Sequence, residues 1–191
     1  MSTLLNRDSR RALLYQRADS EWTAGRLESA FRLFLAAAKA GHVPAYGLVA
    51  QFYDNGWGVK RNQEAALAWY RRAYRDHDSW YRHRRGDSTA ANNIGCILRD
   101  RGQPRRAISW FLRAVKLGDG DANLCIAKIY LRNERDRPKA IHYLKKTCSA
   151  AYVTDGSIEE AKHLLTQLQK AKPVRSRSSH AKAAKSVAVK R

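Results

Sequence analysis

The residues able to do chemistry in this sequence are few and scattered. Histidines stand at 42, 77, 83, 142, 163 and 180, and cysteines at 96, 125 and 148. A zinc centre would need such ligands at short matched spacings, and no C-x-x-C pair is present. An odd number of thiols without paired spacing also argues against a disulfide framework, so Cys96, Cys125 and Cys148 read as small buried hydrophobes. Asp119-Gly120-Asp121 has the opening of a calcium loop but lacks its later ligands and closing glutamate, and helix capping explains it better. No H-E-x-x-H, G-x-S-x-G or G-x-x-x-x-G-K-[ST] pattern occurs, and no nucleophile with its base or pair of carboxylates stands at an informative spacing. The expectation is a non-catalytic chain with no cofactor and no metal.

The chemistry in excess is positive charge. The 191 residues include 37 basic and 17 acidic side chains, for a formal charge of +20. Such an excess draws in polyanions or acidic protein surfaces. From Lys172 to Arg191 there are seven basic residues, no acidic ones and too few large apolar groups for a core, so 172–191 is expected to be a disordered basic tail on a domain spanning 1–171. The tail alone does not explain the charge, because the rest of the chain keeps +13. Composition is that of a soluble globular protein, with 44% hydrophobic and 28% charged residues. The longest apolar run, Leu33 to Ala38, is far short of the roughly 20 residues of a membrane span. Met1 to Arg11 has no signal-peptide h-region, which predicts a cytoplasmic protein without a membrane partner.

The elements that would present this charge repeat along the chain. Aligned on Ala30, Ala66, Ala107 and Ala140, each segment has large apolar residues at +3 and +4: Leu33 and Phe34, Trp69 and Tyr70, Trp110 and Phe111, Tyr143 and Leu144. A small residue returns at +7, at Ala37, Ala73, Ala114 and Thr147. The set draws one face of an α-helix, here helix B. A second helix, A, precedes each anchor, with Ala18, Ala50, Gly95 or Ala127 where two helices approach closely. Gly25, Gly56, Gly102 and the Asn133-Glu134 stretch separate A from B. Neither helix buries its face alone, so successive pairs must stack. A last segment opens with Ser157-Ile158-Glu159-Glu160, a capping-box pattern, and carries Leu164, Leu165 and Leu168 as one stripe. The fold class is therefore all-α, a solenoid of about four helix-turn-helix repeats closed by a C-terminal capping helix.

Residues 45–73 carry the run Y-x-x-G-x-G-V at Tyr53, Gly56, Gly58 and Val59, followed by A-x-x-W-Y-x-x-A at Ala66, Trp69, Tyr70 and Ala73. This resembles a Sel1-like repeat. Repeat three, with Gly95, Leu98, Gly102, Ala107, Phe111 and Ala114, is more similar to the shorter tetratricopeptide repeat. Both families imply a right-handed α-α superhelix. Arg17 and Glu21 depart from the pattern, at places the family gives to apolar residues, and suggest a frayed or capping first helix. An insertion from Asp76 to Asp87 replaces the usual short turn. One secreted branch of the Sel1-like family has a disulfide in every repeat and an attributed β-lactam-hydrolysing activity, but this chain lacks those paired cysteines. The resemblance thus implies an adaptor or scaffold that presents a concave groove, lined by A helices, to a protein or peptide.

By offset from the small packing residues, the exposed groove positions are expected to be Tyr15, Asp19 and Trp22, then Gln51 and Asn55, then Asn92 and Arg99, then Lys128 and Arg132. The groove would run from aromatic and acidic to amide-rich and basic, and its partner is expected to be acidic. Asn93 either meets an extended partner backbone or bonds within the repeats. The alternative partner is nucleic acid. The insertion sets Trp80 and Tyr81 beside Arg82, Arg84 and Arg85, a combination suited to bases and phosphates, although the same residues could extend helix B and pack on the next repeat. With them would act Arg71, Arg72, Arg105 and Arg106 of the B helices and the basic tail.

Overall fold

A computed structural model describes residues 6–80, 87–134 and 136–170, with side chains placed in all but a few of these. The insertion residues Tyr81, Arg82, Arg84 and Arg85, the side chain of Trp80 and the tail at 172–191 lie outside the described residues. Nine α-helices are present among those described: α1 (Arg7–Thr23), α2 (Leu27–Lys39), α3 (Pro44–Asn55), α4 (Gln63–Trp80), α5 (Ser88–Asp100), α6 (Pro104–Lys116), α7 (Asp121–Ile129), α8 (Arg137–Ser149) and α9 (Asp155–Lys170). They pack as the antiparallel A and B pairs α1/α2, α3/α4, α5/α6 and α7/α8, with α9 against the last pair.

The alanine register places the core. Ala30, Ala66, Ala107 and Ala140 are fully buried, as are Phe34, Phe111 and Leu144 one turn on. Gly95 shows how close the helices come: a Cβ added there would lie 2.6 Å from the Phe111 ring. A smaller cluster of Leu124, Ala127, Leu144 and Ala161, joined by Leu164, Leu165 and Leu168, seats α9 on α7 and α8.

Local chemistry sets the helix ends. Gly56 closes α3 with φ +75°, and Gly58 follows at φ +59° with the backbone of Leu27 and Glu28 so near that a Cβ would fall 2.4 Å from it. The G-x-G run thus lets the repeat-two loop lie against the start of α2. Arg17 and Glu21 do not fray α1. Asn6 caps that helix, its Oδ1 accepting from the Ser9 N–H at 2.8 Å, and Glu21 accepts two bonds from Arg26 across the turn. Those bonds hold the Glu21 carboxyl down at about 2.

The C-terminal helix begins earlier than its capping-box pattern suggests. Thr154, not Ser157, is the cap: its Oγ1 accepts from the Ser157 N–H at 3.4 Å while its own N–H and hydroxyl donate to Asp121. Glu160 is drawn instead to Lys128, 2.7 Å away on α7. α4 continues to Trp80, so the first part of the insertion prolongs helix B, and Asp87 then caps α5 through the Ala90 N–H.

One buried group makes stability pH-dependent. His42, 6% exposed, packs against Tyr15 with the rings tilted by 50° and their centroids 4.8 Å apart. Burial, and then the nearby Arg11 guanidinium, push its pKa below the ordinary 6.5. The unfolded chain therefore takes up this proton more readily than the folded one, so the stabilisation is complete above 6.5 and declines as pH falls through and below it. Thermal melts from about pH 7 to about pH 5 should show a shallower decline for His42→Gln than for the wild type. Equal slopes would remove His42 from this role.

Candidate functional site

Two successive A helices and an irregular turn bring together a basic concavity. α5 supplies Arg99 and α7 supplies Lys128. In repeat four the glycine turn of the other pairs is replaced by a π-helical turn, Tyr130–Glu134, which carries Arg132. Wide turns of this kind are rare and often sit at functional sites. It is held by the Asp136 N–H donating to the Tyr130 carbonyl at 3.0 Å and by the Tyr130 ring lying parallel to that of Tyr143. Arg99, Lys128 and Arg132 line a hollow of about 520 Å³ with Asp100, Gly102 and Ile129. Arg99 bonds Asp100 at 2.9 Å, which raises the guanidinium pKa, and Lys128 bonds Glu160. The two carboxylates hold Arg99 and Lys128 in place.

The other expected groove residues are placed differently. Trp22 is not an exposed groove residue. Its ring packs against Phe34, Phe52 and Trp57, with centroids 6.1, 5.9 and 6.2 Å away, because the repeat-two loop folds over it. Tyr15 is likewise half-buried against Phe34 and His42, yet with Gln51 it lines a second hollow of about 510 Å³ between α1, α3 and α5. Asp19 is exposed, and so is Asn55, whose amide donates back to the Gln51 carbonyl. Asn92 is occupied, donating to Asp119 at 2.6 Å, while Asp119 also caps α7 through the Ala122 N–H. Asn93 lies beside the hydroxyl of buried Tyr70 in the preceding repeat. Of the expected groove residues, Tyr15 and Gln51 thus line one hollow and Arg99, Lys128 and Arg132 another, while Trp22 is packed away.

Sequence reasoning missed a contact in the same region. Cys96 of α5 and Cys125 of α7 lie close enough to influence each other's ionisation, each one turn before a groove cation, and the Cys96 thiol donates to the Asn92 Oδ1 at 3.7 Å. The neighbouring Cys96 and burial push the Cys125 thiol up. All three cysteines are half-buried and unbridged rather than fully buried. Their separation in sequence hides the meeting, which only the stacking of A helices produces. Among the described residues, no three His, Cys, Asp or Glu side chains stand close enough to hold a metal ion, and no helix is long and apolar enough to cross a membrane.

The Sel1 repeat family model matches residues 27–42, 43–78, 88–119 and 133–152. The chain belongs to the Sel1 repeat family. The matches include the segment of repeat three that resembles a tetratricopeptide unit, and they omit α1, α7 and α9. Among solved structures the chain is similar to a Sel1 repeat protein from Oxalobacter formigenes, at 21% identity and TM-score 0.62, covering 85% of this chain and 66% of that one. It is also similar to c5321, a protective antigen of uropathogenic Escherichia coli with an SLR fold, at 16% identity and TM-score 0.66, covering 83% of this chain and 34% of that one. A third neighbour is MamA, at 16% identity and TM-score 0.59, with 80% and 81% covered. This chain therefore spans about two thirds and one third of the lengths of the first two. These likenesses show the helical-repeat solenoid fold. No curated protein matches the sequence.

Proposed function

We propose that this Sel1 repeat protein is a non-catalytic scaffold whose A-helix groove holds an acidic segment of a protein partner at Arg99, Lys128 and Arg132. Sel1 repeats generally serve protein–protein interaction, and that supports the scaffold reading. The observation that carries the acidic partner is the convergence of those three cations on one hollow of about 520 Å³. An arriving carboxylate exchanges places with Asp100 or Glu160, so the charges favour discrimination and rate of encounter more than raw affinity.

A pull-down from the native host in the presence of nuclease should retain a protein partner. Titration calorimetry of that partner should show R99E/K128E weakening binding by about tenfold or more, about 1.4 kcal/mol. Both side chains are at the surface, so the fold should be unaffected. Unchanged affinity would move the site elsewhere on the solenoid.

A further inference from the structure

The B helices carry a second charged surface that the groove does not use. α6 holds Arg105, Arg106, Arg113 and Lys116, and α8 holds Arg137, Lys139, Lys145 and Lys146, with no acidic residue on either helix. All but Arg137 are exposed. In α4, Asp76 pairs with both Arg72 and Arg75, and at the start of α8 Asp136 pairs with Lys139. Helices α6 and α8 thus carry a net +8 of the chain's +20.

A repeated contact orders it. Counting from the anchor alanine, the aromatic at +3 is followed by a cation at +6 in three successive repeats, and the two meet each time. Arg72 lies 5.4 Å from the Trp69 ring centroid, Arg113 lies 4.4 Å from Trp110, and Lys146 lies 5.7 Å from Tyr143. Tyr74 of α4 meets Trp110 of α6 edge-on at 5.2 Å, which brings these two successive B helices together. A guanidinium resting on a ring loses little freedom and still presents its outer N–H groups to an anion.

We propose that the face of α6 and α8 binds the phosphodiester backbone of double-helical nucleic acid without regard to sequence. A row of cations on neighbouring helices complements a regularly spaced row of phosphates, and release of counterions would drive the association. The rings are half-buried and already covered by cations, so they offer no platform for an unstacked base. This favours a duplex over a single strand. Ala107, Phe111, Ala140 and Leu144 of α6 and α8 are spent on the core, and Leu112 is the one large apolar side chain exposed on these helices among the described residues, too little to insert into a lipid surface.

Fluorescence anisotropy of the full chain with labelled duplexes of about 20 base pairs, in two unrelated sequences and over a salt series, tests this. Both duplexes should bind alike and weaken steeply with salt. R106E/R113E/K146E should lose about tenfold or more in affinity and reduce the salt slope by about 0.9 for each phosphate no longer neutralised. R105E/K116E/K145E, which leaves the ring contacts intact, should show the same direction of loss. The groove triple R99E/K128E/R132E changes charge equally and should lose less than about threefold. Failure to bind at low salt, equal loss in face and groove triples, or no loss in either face triple would overturn the proposal. So would tighter binding to the single strand or to anionic phospholipid vesicles, or strong preference between the duplexes. The groove's partner does not enter these measurements, so either reading can fail without the other.

Discussion

Trp22→Ala is expected to destabilise the N-terminal half of the solenoid by about 3 kcal/mol, near the lower end for loss of a packed aromatic core residue. Trp22 joins three pieces of chain: Phe34 of α2, Phe52 of α3 and the Trp57 loop all reach its ring. Aromatic pairs of this geometry add to the area they bury. Stability in a repeat stack is a sum of units and their interfaces, so the loss should be local. Urea unfolding should show an earlier midpoint, and hydrogen exchange should quicken in α1, α2 and the 56–62 loop ahead of α7 to α9. A variant with unchanged midpoint but weakened partner binding would restore Trp22 to the groove and overturn the packing described here.

Gly95→Leu should be comparably damaging in the middle of the stack, by about 1–3 kcal/mol or more, because a larger side chain at a filled helix contact forces neighbours aside. The first carbon already fails to fit: an added Cβ would meet three Phe111 ring atoms at 2.6 to 2.9 Å, and Phe111 is fully buried with nowhere to go. Gly95→Ala should therefore also destabilise, against the usual gain of alanine over glycine inside a helix. A double-mutant cycle supplies the sharper check. Phe111→Leu alone should cost stability, yet combined with Gly95→Ala it should cost less than the two changes added. Additive effects in chemical denaturation would mean the two residues do not share this contact.

The contrast between Trp22 and Arg99 shows where sequence reading stops. Both stand four residues after the small packing residue of their A helix, and the shared offset made both groove candidates. Arg99 does line a hollow, while Trp22 is covered. What differs is the neighbouring repeat. After repeat one comes the longer Gly56–Asn62 loop with Trp57, and after repeat three comes the π-helical turn with Arg132. The Ser157 pattern misled for a related reason. A hydroxyl three residues before a glutamate can cap a helix, but Thr154 had Asp121 of another helix to hold it in place, and Glu160 had Lys128.

The sequence by itself determined the four-fold register, the A and B helices, the buried alanines and the excess of charge. Each of these follows from interactions within a few residues: a 3.6-residue period marks one face of a helix, and glycine tolerates the left-handed turn between helices. Only the tertiary structure decided that Trp22 turns into packing, that Tyr15 packs on Phe34 while still lining a hollow with Gln51, that Asn92 is taken by Asp119, and that Cys96 meets Cys125. It alone set Arg99, Lys128 and Arg132 around one hollow and laid the cations of α6 and α8 beside their rings. A helix period specifies which residues share a face. What covers that face depends on the length and shape of the loop one repeat away, and that contact is made only when the stack closes.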